Sequence, residues 1–313
     1  MPGSADRIPT LDLRRLDTDR DRFVFELGRA YRRFGFCCFD HHGIDEALIA
    51  GAYGDFRRFF ALPADAKARY TVSTPGGGGR GYVGFRVETA RTSTVPDLKE
   101  FFHVGRPDPV IPALAPNLWP AEVDTFRAHC EDLFRAMERT GARVLSAVAL
   151  DLGLSPDFFG PVADRGDSIL RALHYPPIDP ALLPAVRAEA HEDISLITLL
   201  VGATASGLEI LTREGAWLPV DAAPGTLVVN VGDMLQRLTN RAYPSTTHRV
   251  VNPEGEAARS SRYSMPFFLA PNLDYLIRSL PSCIGVAGEH FPEPITAGDY
   301  LSERLREIRM RAA

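Results

Sequence analysis

His191 and Asp193 stand two residues apart in Ala-His-Glu-Asp-Ile-Ser-Leu-Ile-Thr, and His248 opens the apolar run His-Arg-Val-Val much further along the chain. Side chains alternate along an extended strand, so His191 and Asp193 project to one face and Glu192 to the other. Two imidazoles and one carboxylate on one side of a divalent cation leave three positions open. That arrangement suits non-haem Fe(II), which must hold a cosubstrate and O2 together. Neither feature decides alone. A His-x-Asp pair also arises as an exposed polar pair at a strand end, and a lone histidine is often a satisfied structural residue.

Fourteen positions after His248 comes Arg262, in Arg-Tyr-Ser-Met-Pro-Phe-Phe. Period two puts Arg262 and Ser264 on one strand face, where a guanidinium and a hydroxyl together could clamp a carboxylate. A cation inside a β core is costly without an anion. Two partners are open at this point: a dicarboxylate ligand, or an internal Asp or Glu.

The elements that must position these residues lie in the second half of the chain. Short apolar runs at 169–175, 196–201, 208–211, 226–231, 248–251 and 264–269 are separated by Gly, Pro, Asn and Asp, which predicts an antiparallel sandwich or barrel. Ahead of them, apolar spacing predicts a long helix over about 120–152, with Gly141 as a bend or interruption. The first third reads as mixed α/β: a strand at 8–13, a helix over 17–34 stopped by Gly35, a buried strand at 36–39, and a helix capped by Asp45 and running to Phe60. Residues 73–81, with four consecutive glycines, read as a loop. Residues 299–310 read as a closing amphipathic helix with Leu301, Leu305 and Ile308 on one face. The expected division is 1–118, an α/β region, and 119–313, the long helix, the β core and the final helix.

Composition narrows the function classes. With 313 residues, 45% of them hydrophobic, and a formal net charge of −5, there is ample core material and no basic face for nucleic acid or anionic membrane. No apolar run approaches the roughly 18 residues that span a bilayer, and residues 1–12 lack the pattern of a secretory signal. Cys37, Cys38, Cys130 and Cys283 show no C-x-x-C spacing, which argues against a disulfide framework and for a reducing, cytoplasmic setting. Two literal G-x-G-x-x-G matches at 76–84 lack the preceding strand and following helix of a dinucleotide site. No G-x-S-x-G elbow accompanies the histidines.

The same residues resemble the isopenicillin N synthase-like branch of the 2-oxoglutarate/Fe(II) dioxygenases. The resemblance runs in order through Ala190-His191-Glu192-Asp193, Gly207-Leu208-Glu209-Ile210, Pro224-Gly225-Thr226, Val231-Gly232-Asp233, Thr246-Thr247-His248-Arg249-Val250 and Arg262-Tyr263-Ser264. It extends to the opening third through Ile8-Pro9, Phe59-Phe60-Ala61-Leu62-Pro63 and Asp97-Leu98-Lys99-Glu100. It implies a mainly β fold with flanking helices (α+β) around a distorted jelly roll, or double-stranded β-helix. It further implies iron ligands at His191, Asp193 and His248, a 2-oxoglutarate clamp at Arg262 and Ser264, and a hydroxyl contact to the cosubstrate from Tyr175. The implied cofactors are Fe(II), 2-oxoglutarate and O2, with ascorbate as a candidate reductant. The implied reaction oxidises a small molecule and releases succinate and CO2.

Two departures from the family stand out. Leu173 occupies a position that is Asn in many plant members, and Asn240-Arg241 replaces a common Asn-Gly. For the substrate, the resemblance points to Tyr82, Arg86 and Arg91 near the pocket mouth, and to Arg171 and His174 on the strand of Tyr175; solvated loop positions are the competing reading for the first three. Two other functions stay open: an Fe(II) oxidase of the same family that needs no 2-oxoglutarate, and a silent binding or sensor module on the scaffold.

Overall fold

The computed structural model describes residues 7–71, 79–91, 93–107, 115–286 and 288–310. Two sheets face each other. The larger contains β1 (Thr10–Asp12), β2 (Phe36–Asp40), β3 (Gly81–Val83), β5 (Glu100–Gly105), β6 (Ile169–Tyr175), β8 (Ile197–Val201), β11 (Leu227–Val231) and β13 (Arg262–Leu269), in the order β1-β2-β11-β8-β13-β6-β5-β3. The smaller contains β7 (Ala188–His191), β9 (Leu208–Leu211), β10 (Trp217–Pro219) and β12 (His248–Val250), in the order β10-β9-β12-β7. Between β3 and β5 lies the two-residue β4 (Glu88–Thr89), which pairs with Arg309–Met310 near the C-terminus. This is the jelly roll the resemblance implies, and strands from the first third complete its larger sheet.

Local sequence explains the flanking helices. Helix Arg20–Phe34 ends because Gly35 adopts φ 64° and donates its N–H to the Tyr31 carbonyl, a left-handed stop that glycine takes without a Cβ penalty. Asp45 caps helix Glu46–Phe60 through Oδ1, which accepts from the Ala47 N–H at 2.9 Å. The long helix spans Phe126–Asp151, starting later than predicted because Pro120 to Thr125 form successive turns. Gly141 does not interrupt it. A Cβ there would overlap Leu269 on β13 and press on Leu199 of β8, so glycine lets the helix backbone settle onto the sheet. Phe134 and Phe267 close the same contact edge-to-face, centroids 4.9 Å apart, a favoured aromatic geometry.

Two expectations are corrected. Gly81 is not in a loop but opens β3, paired to β5; residues 72–78 of the expected loop region lie outside the described residues. The final helix spans Ala297–Glu307, and Arg309–Met310 leave it to pair with β4. No helix among the described residues is long and apolar enough to cross a membrane, and all four cysteines are free.

Candidate active site

Antiparallel pairing of β7 and β12 sets His191 directly opposite His248, with ring centroids 4.4 Å apart. His191 Nδ1 lies 2.7 Å from the Glu189 carbonyl and His248 Nδ1 lies 3.1 Å from that of Thr246. A carbonyl only accepts, so each Nδ1 carries the proton and each Nε2 presents a lone pair. Those two Nε2 atoms converge on Asp193 Oδ1, at 3.9 and 3.7 Å, and the three ligand atoms lie within 4.8 Å of one another. Ligand atoms 3.7 and 3.9 Å apart can each stand about 2.1 Å from one ion. The donor set therefore fits a divalent cation.

Asp193 ties the two sheets together. Its Oδ2 accepts from Asn230 Nδ2 of β11 at 2.8 Å, and its carbonyl accepts from the Asp233 N–H at 2.8 Å. Burial would raise its carboxyl, but His248, His191 and Asn230 together hold it below the usual range, so the anion is ready at neutral pH. Burial and the neighbouring His248 push His191 down to about 4, which keeps its lone pair free for metal. Gly232 backs this loop: a Cβ there would overlap the carbonyl and hydroxyl of Ser195. Gly232→Ala is accordingly expected to cost about 1–3 kcal/mol, as overpacking typically does, and to weaken Co(II) binding. Thermal denaturation with and without Co(II) checks both effects.

Arg262, Ser264 and Tyr175 sit deeper. Arg262 is 2% exposed. Its Nε donates to the Ala205 carbonyl at 3.1 Å, its Nη1 to Ser264 Oγ at 3.3 Å, and its Cζ lies 5.0 Å from the Tyr175 ring centroid. No carboxylate of the described residues comes within 4.0 Å of it, so the internal ion pair left open above is not made. Tyr175 belongs to one buried cluster with Ala188 and Val250, strand neighbours of His191 and His248. The route from the triad to the guanidinium thus runs down the inner face of β7 and β12.

A cavity of about 350 Å3 opens beside His191 and Asp193, within the range of small-molecule sites. Arg171 and Arg91 line it, whereas Tyr82, Arg86 and His174 do not. Tyr82 Oη is hydrogen-bonded to Glu100; His174 is held between Glu100 (2.7 Å) and Ser261 (3.0 Å). Both belong to a buried network on the far side of β5 and β6. Arg86 has φ 61°, and its backbone N–H bonds the Lys99 carbonyl. Glu192, predicted to face away from the metal, also lines the cavity and is hydrogen-bonded to Thr247.

Apart from Arg171, sequence reasoning missed the cavity's inner wall. Lys99 Nζ lies 2.7 Å from both Glu88 and Asp97, and Arg171 Nε donates to His103 Nε2 at 2.6 Å. Burial, then Arg171, pushes His103 down to about 3. A histidine neutral in the fold but free to protonate when unfolded stabilises the protein above the unfolded value near 6.5; that contribution is lost as pH falls from there toward 3. From pH 6.5 to 5 the wild-type apoprotein is expected to lose up to about 1.4 kcal/mol per pH unit through this residue. Urea unfolding across that interval, compared with His103→Gln, checks the difference in slope.

The comparisons with known proteins agree with this geometry. Residues 8–122 match the family described as non-haem dioxygenase in morphine synthesis N-terminal, and residues 166–271 match the 2OG-Fe(II) oxygenase superfamily. A proline hydroxylase, buaE, of Petromyces alliaceus is 34% identical over 300 residues, covering 91% of this chain and 93% of its own. The chain belongs to the 2OG-Fe(II) oxygenase superfamily. A 2-oxoglutarate-Fe(II) type oxidoreductase, hxnY, of Emericella nidulans is 32% identical, covering 89% of this oxygenase and 82% of its own length. Among solved structures, a 2OG-Fe(II) oxygenase family protein from Caulobacter crescentus is 44% identical with a TM-score of 0.88, covering 97% and 99% of the two chains. A full-length Neurospora crassa protein solved in complex with alpha-KG and thymine is 29% identical, with a TM-score of 0.87 and coverage of 97% and 98%. The protein is a non-haem oxidoreductase dependent on Fe(II), 2-oxoglutarate and O2.

Proposed function

We propose that this oxygenase holds Fe(II) through His191 Nε2, Asp193 Oδ1 and His248 Nε2, anchors the far carboxylate of 2-oxoglutarate on Arg262 and Ser264, and oxidises a small molecule seated in the adjoining cavity. The observation that carries the reading is the buried Arg262 guanidinium, without a carboxylate among the described residues, on β13 opposite Tyr175, which packs against Ala188 and Val250 of the strands that bear His191 and His248. A buried cation of this kind calls for an anionic ligand. When bound, the iron supplies the O2 chemistry that couples decarboxylation of 2-oxoglutarate to substrate oxidation, with succinate and CO2 as coproducts.

The chain's own residues orient and enclose. Carbonyls of Glu189 and Thr246 fix the histidine tautomers, Asn230 fixes the Asp193 carboxylate, and the Arg262–Ser264 pair sets the cosubstrate's direction. Leu301, Leu305 and Ile308 of the C-terminal segment cover the cavity and limit water. Ascorbate would serve as a reductant keeping the iron ferrous. The four free cysteines suit a reducing compartment, which favours a cytoplasmic location. Anaerobic addition of Fe(II) and 2-oxoglutarate is expected to give a visible charge-transfer band, and O2 with substrate to give succinate. A protein that binds Fe(II) yet shows neither band nor succinate would overturn the proposal.

A further inference from the structure

The inner wall of the cavity is built for a particular kind of molecular head. It carries two cations, Lys99 and Arg171, two anions, Glu88 and Asp97, and the neutral His103. Their charges sum to zero, and nearly every polar atom is already paired. Lys99 bridges Glu88 and Asp97, Asp97 Oδ1 takes the Glu189 N–H at 3.1 Å, and His103 lies between Arg171 and the Gly79 carbonyl. Arg171 is also fixed in plane, with its Cζ 4.3 Å from the Phe101 ring centroid and 5.3 Å from that of Phe268. Two atoms are left over. Arg171 Nη2 has no hydrogen-bond partner among the described residues, and neither has Glu88 Oε2, whose Oε1 is shared by Lys99 and, at 3.5 Å, Arg171 Nη1. Both residues line the cavity. The wall therefore shows one strong donor beside one strong acceptor.

We propose that the substrate presents a neutral head with an N–H beside a carbonyl, the edge of a cyclic amide or imide, its carbonyl accepting from Arg171 Nη2 and its N–H donating to Glu88 Oε2. This rests on the oxygenase reading above. An ionic head fits worse. A free carboxylate satisfies Arg171 but confronts Glu88, an ammonium satisfies Glu88 but confronts Arg171 and Lys99, and either brings a net charge into a neutral, buried wall. A cyclic amide edge meets both open atoms at once, and an analogue missing one of its two groups leaves a buried charged atom unpaired. Ile169, Phe268, Leu301 and Leu305 give the cavity an apolar side as well, beside the charged Arg91, Asp167, Arg304 and Glu307, so an apolar ring or chain joined to this head has a surface to pack on. Glu88 is largely but not fully enclosed, its side chain 11% exposed, and although desolvation opposes ionisation, Lys99 and Arg171 hold its carboxyl well below the usual range, so it stays an acceptor at neutral pH.

The test uses the full chain loaded with Mn(II) and 2-oxoglutarate. Proton relaxation by the metal reads the binding of four probes: 4-phenylpyrrolidin-2-one, its N-methyl derivative, 3-phenylbutyrate and 3-phenylpyrrolidine. The N–H lactam is expected to bind at least about 10-fold more tightly than the other three. Arg171→Leu is expected to weaken the lactam by a similar factor. Glu88→Gln is expected to abolish the preference for N–H over N-methyl while Mn(II) and 2-oxoglutarate still bind, an effect that loosened packing would not produce. The proposal is overturned if the carboxylate or the amine binds best, if no probe binds to loaded protein, or if the N–H preference survives in Glu88→Gln. Failure to take up Mn(II) or 2-oxoglutarate at all would instead strike the oxygenase site itself, and this proposal with it.

Discussion

Asp193→Ala is expected to leave the purified protein without Fe(II) and to reduce succinate formation at least 10^3-fold, about 4 kcal/mol of lost barrier reduction. Asp193 is the only anion in the triad, it is 7% exposed, and its two oxygens face different partners: Oδ1 the histidines, Oδ2 the amide of Asn230. Removing it leaves two neutral imidazoles to hold a dication, along with an unpaired buried amide. Asn230→Ala is the graded control. It keeps all three ligand atoms but frees the carboxylate to rotate, and losing such a supporting hydrogen bond typically costs 10- to 100-fold in metal affinity. Iron content by elemental analysis and succinate by mass spectrometry separate the two variants. Full iron occupancy in Asp193→Ala would displace Asp193 from the metal site.

How far the sequence leads depends on whether the governing contact is local. The triad was legible as a His-x-Asp pair plus the histidine that opens a neighbouring strand, although β7 ends at His191, Asp193 lies just past it, and Glu192 reaches the cavity too. Period-two alternation, applied to β6, separates Arg171 and Tyr175 from His174, which faces the Glu100 network instead. Naming both Arg171 and His174 for the substrate left open a choice that this alternation decides for Arg171. Asp97 and Lys99 also alternate, but their role was hidden. What makes them a wall is pairing with Glu88 on the short β4 and the juxtaposition of His103 and Arg171 across β5 and β6, the latter a contact between segments 68 residues apart. The Asn240-Arg241 departure shows the opposite case, where backbone shape outlasts the residue that usually supports it. Both residues hold positive φ, 47° and 68°, and Asn240 bonds the Cys283 and Gly288 carbonyls and the His290 N–H. Those three bonds hold the turn although Arg241 carries the left-handed strain glycine would avoid. The final helix was legible as amphipathic. That its apolar face covers the cavity, pinned by Arg309–Met310 against β4, needed the fold.

Arg262→Met is expected to move stability and cosubstrate binding in opposite directions. In the wild-type apoprotein the guanidinium is buried, contacts a carbonyl, a hydroxyl and an aromatic ring, lies near the buried cation Arg187, and meets no carboxylate of the described residues. Desolvating a charge without a counter-ion costs several kcal/mol. An unbranched apolar side chain of similar length removes that cost while keeping contact with Tyr175, so the apoprotein is expected to melt at the same temperature as wild type or higher. In the complex the balance reverses. The far carboxylate of 2-oxoglutarate loses its charge-assisted partner and becomes the unpaired buried ion, a loss of about 2–5 kcal/mol, or roughly 30- to several-thousand-fold in affinity. The ligand-induced rise in melting temperature seen with Mn(II) and 2-oxoglutarate should therefore shrink or vanish, while the rise caused by Mn(II) alone persists because the triad is untouched. A variant that melted lower as apoprotein and still bound 2-oxoglutarate as wild type does would make Arg262 a structural residue and move the cosubstrate's anchor elsewhere. A rise in apoprotein stability together with a loss of 2-oxoglutarate response is a pattern that a structural arginine cannot produce, because only a site held ready for an absent anion is relieved by losing its charge.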